Sequence, residues 1–141
     1  AQLLGRIAQQ KGSHQEAADL FVEALKATPD NGEIHNNLGT CLNALGRHEE
    51  AAEHFEKALE LDPGYALAYS NLGAALTAMG KPEAATTHIS RSLELRPGNP
   101  SAHVNLGNAL RGAGKFNKAG EQYKQALEIQ PEFPEGNAMV C

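Results

Sequence analysis

Tryptophan is absent from this 141-residue chain, and aromatic residues make up only 5% of it. A core without large rings has to be filled by small and aliphatic side chains, which suits closely packed helices. Cysteine occurs only at Cys41 and Cys141. One falls in an apolar column and the other is the last residue, so they read as a buried and a terminal thiol, not as a disulfide framework. No apolar run approaches the roughly 20 residues of a membrane span, and no run of like charge suggests a tail. A basic excess is also missing, since 12 Lys and Arg stand against 17 Asp and Glu for a formal net charge of -5. Nucleic-acid and anionic-membrane binding both need a basic surface, so neither partner is expected. The chain shows no signal peptide and starts at Ala1, not Met. It is therefore expected to be a piece of a longer, cytoplasmic chain.

What the sequence does have is self-similarity. Asn37-Leu38-Gly39, Asn71-Leu72-Gly73 and Asn105-Leu106-Gly107 recur every 34 residues, and Leu4-Gly5 lies one period upstream. Gly12, Gly46, Gly80 and Gly114 form a second column. Ala17, Ala51, Ala85 and Ala119 form a third, and Leu25, Leu59, Leu93 and Leu127 a fourth. Pro29, Pro63, Pro97 and Pro131 close each unit. A fixed period of this length means a stacked array in which no single unit buries its own apolar face.

Each column has a physical task. Between the Gly and Pro columns the apolar residues follow helical spacing, as in Ala51, Phe55, Ala58 and Leu59. Gly12, Gly46, Gly80 and Gly114 stand where the chain must reverse after a first helix. Proline ends the second helix. Gly5, Gly39, Gly73 and Gly107 lie inside the first helix, where glycine costs about 1 kcal/mol against alanine. Four repetitions of that cost predict a close neighbouring helix, with the alanine column as its small partner. First helices are expected near 1–11, 32–45, 66–79 and 100–113, and second helices near 14–27, 48–61, 82–95 and 116–129. Pro82 and Pro100 fall at helix starts, where proline is tolerated. A further first helix is expected to begin at Pro134.

This pattern resembles the tetratricopeptide repeat family over almost the whole chain. In the second unit the family offsets hold Leu38, Gly39, Gly46, Ala51, Phe55, Ala58 and Pro63. His35, Tyr69 and His103 replace the family's early Trp, Ile89 replaces Phe or Tyr, and Ser92 replaces a small Ala. The resemblance implies an all-α, right-handed solenoid with first helices on its concave side. One array is expected, with repeats of about 1–31, 32–65, 66–99 and 100–133 and a partial fifth at 134–141. Neither end reads as a polar cap, so association of copies through exposed array ends is expected as a possible oligomerisation route. Gly112, Gly114 and Gly120 make the end of the fourth repeat the expected first site of fraying.

Asn37, Asn71 and Asn105 are the leading site residues. Leu and Gly of each triplet face the partner helix, which turns the Asn to the neighbouring side, concave by family analogy. A carboxamide has two donor hydrogens and an acceptor oxygen. It can therefore pair with both the C=O and the N–H of an extended peptide. First helices packed roughly 10 Å apart and an advance of about 3.3 Å per extended residue would let one Asn meet every third peptide residue. Such a ladder resembles that in the superhelical repeat region of O-GlcNAc transferases. The competing reading has each Asn bonding a neighbouring helix and ordering the stack. Arg6, Asn36, Thr40, Asn43, Ser70, Ala74, Thr77, Asn108 and Arg111 are expected to share this polar, nearly neutral face.

Other chemistries fit poorly. Co-chaperone members of the family grip an acidic C-terminus with a carboxylate clamp. Here Asn36, Ser101 and Asn105 stand at the clamp's basic positions and Thr40 at its Asn position, and only Asn71 matches. His48-Glu49-Glu50-Ala51-Ala52-Glu53-His54 misses the zinc-protease motif, which needs His at position 52. His35 and His103 are explained by packing, and His54 and His88 are expected near the surface. No Ser or Cys sits in a nucleophile elbow, and the glycines form no phosphate loop. The expectation is a non-enzymatic, metal- and cofactor-free scaffold for a protein or peptide. Two alternatives stand beside it, a self-assembly module and the substrate-recruiting region of a larger transferase.

Overall fold

The computed structural model describes residues 2–10 and 13–130, and the expected fifth helix from Pro134 lies outside them. Among the described residues there are eight helices and no strand. The first helices are α1 (Gln2–Gln10), α3 (Gly32–Ala44), α5 (Ala66–Ala78) and α7 (Pro100–Gly112). The second helices are α2 (His14–Ala27), α4 (His48–Leu61), α6 (Pro82–Leu95) and α8 (Phe116–Ile129).

The helix ends follow from the columns. Gly46, Gly80 and Gly114 take φ of +84°, +79° and +81°, the left-handed turn that reverses the chain after each first helix. The first helices α3, α5 and α7 stop one residue earlier than expected, because Leu45, Met79 and Ala113 act as their caps. Second helices end one residue after the last helical turn, at Thr28, Asp62 and Arg96, with φ of -134°, -142° and -141°. A residue preceding proline is pushed out of the helical region by the proline ring.

Within each repeat an aromatic or aliphatic side chain seats on the first-helix glycine. A Cβ added to Gly5 would lie 2.9 Å from the Phe21 ring, and one on Gly39 2.6 Å from Phe55. Gly107 meets Tyr123 at the same 2.6 Å, and Gly73 meets Ile89. The glycines are therefore sites of close helix approach, as their repetition predicts. Ala17, Ala51 and Ala85 are fully buried beside them. Phe21 and Phe55 are also fully buried, each contributing roughly 1.5–3 kcal/mol by apolar transfer. Ser92, the exception in its alanine column, is buried with its hydroxyl donating to the Ala66 carbonyl at 2.7 Å. Cys41 is buried as expected, and burial pushes its thiol up to about 11. Leu76 packs against both the core of the first repeats and that of the last, joining them into one stack.

Curvature comes from unequal contact between layers. Each helix packs on the next in sequence, and first helices also touch their successors, α1 on α3, α3 on α5 and α5 on α7. Among the described residues no second helix brings its backbone as close to another second helix, none of their Cα atoms lying within 8 Å. An array pinched on one side and splayed on the other bends toward the pinched side. The first helices thus line the inner face of an all-α solenoid.

Candidate functional site

Three columns of first-helix side chains share one helix face. Their positions are Asn37, Asn71 and Asn105, then Thr40, Ala74 and Asn108, then Asn43, Thr77 and Arg111. Spacings of three residues keep the columns on one helix face. Between α5 and α7 this face opens into a cleft of about 450 Å³ lined by Ala74, Thr77, Ala78, Asn105, Asn108, Arg111 and Gly112. The cleft brings together five of the residues expected from sequence: Ala74, Thr77, Asn105, Asn108 and Arg111.

The carboxamide ladder is more committed than the sequence implies. Asn71 Nδ2 donates to Asn36 Oδ1 at 3.0 Å. Asn105 Nδ2 donates to the Ser70 carbonyl at 3.3 Å and to Ser70 Oγ at 2.8 Å. Asn36 and Ser70 are equivalent positions on the preceding first helix, so both bonds tie one repeat to the one before. The stack-ordering reading of these two residues is therefore realised, and it uses the Nδ2 side of the amide. For a ligand Asn71 has its Oδ1 and one N–H left, and Asn105, with both Ser70 acceptors taken, its Oδ1.

Asn36 and Ser70 need correcting as groove residues. They are 5% and 2% exposed, and their polar atoms serve the bonds just described. Lying one residue before the Asn column, they rotate about 100° round the helix, under the neighbouring repeat. The others keep partial exposure with internal bonds of their own. Thr40 Oγ1 donates to the Asn36 carbonyl at 3.0 Å and Thr77 Oγ1 to the Gly73 carbonyl at 2.9 Å. Asn43 Oδ1 is bonded to His48 Nδ1, across the turn into α4. Asn108 Oδ1 accepts from the Tyr123 hydroxyl at 2.6 Å. Arg6 reaches Glu33 at 3.8 Å, linking α1 to α3.

Two lining residues, Ala78 and Gly112, were not expected from sequence. Gly112 reads there as a source of fraying, yet it lies beside the start of α6, where an added Cβ would sit 3.5 Å from Pro82. Its role follows from the fold's bringing α7 back past α6, which no local signal reports.

In each of the last three helix pairs a histidine pairs across the two helices: His35 with His54, Tyr69 with His88 and His103 with Gln122. His35 Nε2 lies 2.8 Å from the Pro29 carbonyl and its Nδ1 3.0 Å from His54 Nδ1. His103 repeats this with the Pro97 carbonyl and with Gln122 Oε1 at 2.8 Å. Packing thus explains His35 and His103. His54 and His88 are half-buried, each stacking on the first-helix ring opposite, His35 and Tyr69 respectively, and each keeps an edge toward the surface. Burial, and next the neighbouring His35, lower the His54 pKa, while Glu53 and Glu50 pull it upward. Among the described residues no three His, Cys, Asp or Glu side chains converge as metal ligands, and no helix is long and apolar enough to cross a membrane.

Comparison with known proteins follows the same lines. Family models of the tetratricopeptide repeat match residues 3–66 and 64–132. No curated protein gave a match. Among solved structures, MamA is 30% identical with a TM-score of 0.77, over 94% of this chain and 77% of that one. YrrB, described as a TPR protein with an unusual peptide-binding site, is 28% identical with a TM-score of 0.77, over 96% and 70%. The first TPR of Spaghetti (RPAP3), bound to the HSP90 peptide SRMEEVD, is 28% identical with a TM-score of 0.75, over 80% and 90%.

Proposed function

The chain belongs to the tetratricopeptide repeat family, and from that premise we propose that it is a non-enzymatic scaffold holding an extended peptide along its inner face. The family's repeats are generally interaction modules. One observation supports the finer reading: the cleft between α5 and α7 is lined by one member of the amide column, Asn105, whose Nδ2 is spent on Ser70 and whose Oδ1 is left as an acceptor. Peptide backbone presents N–H groups at regular intervals, and a row of fixed Oδ1 atoms is suited to receive them. That YrrB has a peptide-binding site and RPAP3 was seen with a peptide supports this class of partner. The proposed contacts are Asn37, Asn71, Asn105, Thr40, Asn43, Thr77, Asn108 and Arg111. The array is read as repeats of about 1–31, 32–65, 66–99 and 100–133.

The test is a displayed-peptide screen with the native chain and with Asn37, Asn71 and Asn105 all changed to Ala. Helicity should persist and peptide capture should fall. Capture at native strength by the triple variant removes the ladder from the mechanism.

A second reading, self-assembly, rests on apolar residues at both ends. Leu3, Leu4 and Ile7 on α1 and Phe116 and Ile129 on α8 are exposed. Mass measured across a concentration series decides this. A monomer throughout the series leaves self-assembly without support.

A further inference from the structure

We propose that the cleft between α5 and α7 selects a carboxylate, gripped by the Arg111 guanidinium and the Asn108 amide N–H groups. This deepens the peptide-binding reading and rests on it. The argument is an accounting of what each lining group has left to offer. Thr77 Oγ1 spends its hydrogen on the Gly73 carbonyl, so it turns only lone pairs outward. Asn105 must present Nδ2 to the Ser70 carbonyl, because a carbonyl cannot donate, and this fixes Oδ1 as its free acceptor. Asn108 is oriented oppositely. Its Oδ1 receives the Tyr123 hydroxyl at 2.6 Å, which leaves Nδ2 with two hydrogens to give. Arg111 is exposed, donates through five N–H bonds, and makes no salt bridge among the described residues.

The cleft therefore has an acceptor half, Thr77 and Asn105, and a donor half, Asn108 and Arg111. The two donors are three residues apart on α7 and so share one helix face. Arg111 is the only charged residue among the described lining residues. A neutral peptide backbone would leave that charge unmatched. A planar group with two oxygens and one negative charge matches a guanidinium in a bidentate pair. A phosphate monoester, near two charges, would call for a second cation that the lining lacks. The amide N–H of the residue carrying the carboxylate then has Asn105 Oδ1 as its acceptor.

This subsite fixes register. Arg111 has Asn43 and Thr77 at its equivalent positions in the two repeats before, both neutral. A peptide sliding by one repeat would lose its charge match. The arrangement is also not the co-chaperone clamp, whose basic positions are Asn36, Ser101 and Asn105 here.

The carboxylate has two sources, a chain terminus or an Asp or Glu side chain, and three hexapeptide pools separate them. One pool ends in a free carboxylate with no acidic side chains. One is amidated with a single internal Glu. One is amidated and neutral. Each is titrated into the ¹⁵N-labelled chain while the Arg111 Nε–H and Asn108 Nδ2 signals are followed. At least one acidic pool should shift both signals and bind about tenfold more tightly than the neutral pool, as one charge-assisted pair implies. Arg111→Gln should abolish that advantage, with its melt checked against the native chain. If neutral and acidic pools bind alike and the Arg111 signal stays still, the carboxylate inference is wrong and peptide binding stands. If no pool binds, the peptide reading falls and takes this one with it.

Discussion

Asn71 donates Nδ2–H to Asn36 Oδ1, 3.0 Å away on the preceding first helix, and so joins two repeats through the column proposed to meet the peptide. Asn105 does likewise with Ser70 one repeat on. The bond that aligns the stack also locks the carboxamide, so its oxygen is held in place before any ligand arrives. Carboxamides fixed in this way lose less side-chain entropy when a peptide binds than free rotors would.

Asn71→Ala should therefore cost stability as well as affinity. It strands a largely buried acceptor on Asn36, at about 1–3 kcal/mol. Urea melts of Asn71→Ala, Asn36→Ala and the double variant measure the coupling, expected at about 1 kcal/mol. Strict additivity of the two single changes would show that the bond contributes nothing to the stack.

Two glycines should respond in opposite directions. Gly73 lies under Ile89, whose Cδ1 would be 2.6 Å from an added Cβ, with the Ala85 carbonyl at 3.2 Å. Gly73→Leu overpacks this contact and should lower stability by about 3 kcal/mol or more. Gly120 sits within α8 with nothing within 4 Å of the same built atom. Gly120→Ala should raise stability by about 0.5–1 kcal/mol, through backbone entropy alone. Thermal melts that moved the same way for both would overturn this placement of the glycines.

The contrast shows what a sequence can and cannot carry here. Gly39, Gly73 and Pro63 announce close approach and helix ends because their reasons are local and repeat every 34 residues. Asn36 and Ser70 do not announce their burial. Their covering partners, Asn71 and Asn105, are a whole repeat away, and one step round the helix separates covered from open. The histidine pairs were legible in principle. His35 and His54, Tyr69 and His88, and His103 and Gln122 keep one spacing of 19 residues, a signal hidden only because the residue types change. Arg111 was expected on the same face as the Asn column, and it lines the cleft between α5 and α7. Its place beside an Asn whose oxygen is already taken needed the Tyr123 hydroxyl, which comes from α8.

The His35–His54 pair sets a pH dependence whose sign can be worked out. His35 Nε2 faces the Pro29 carbonyl at 2.8 Å and so carries its proton there. A neutral His35 then has an acceptor at Nδ1, and His54 Nδ1 donates to it. Burial first, then His35, hold the His54 pKa below its ordinary value near 6.5. The unfolded chain then binds more protons than the folded one below about pH 6.5, so stability falls as pH drops from there toward the folded pKa. Carboxylates titrate lower, near pH 4, so the window is distinct. Melting temperature should decline as the pH falls through the ordinary histidine range near 6.5, above the range in which carboxylates titrate. His54→Gln should flatten that decline while keeping the contact, because Gln122 already pairs with His103 in this way at 2.8 Å. A decline that persists undiminished in the Gln variant would assign the acid sensitivity to other groups, since this change removes the titrating nitrogen and leaves a hydrogen-bond partner for His35.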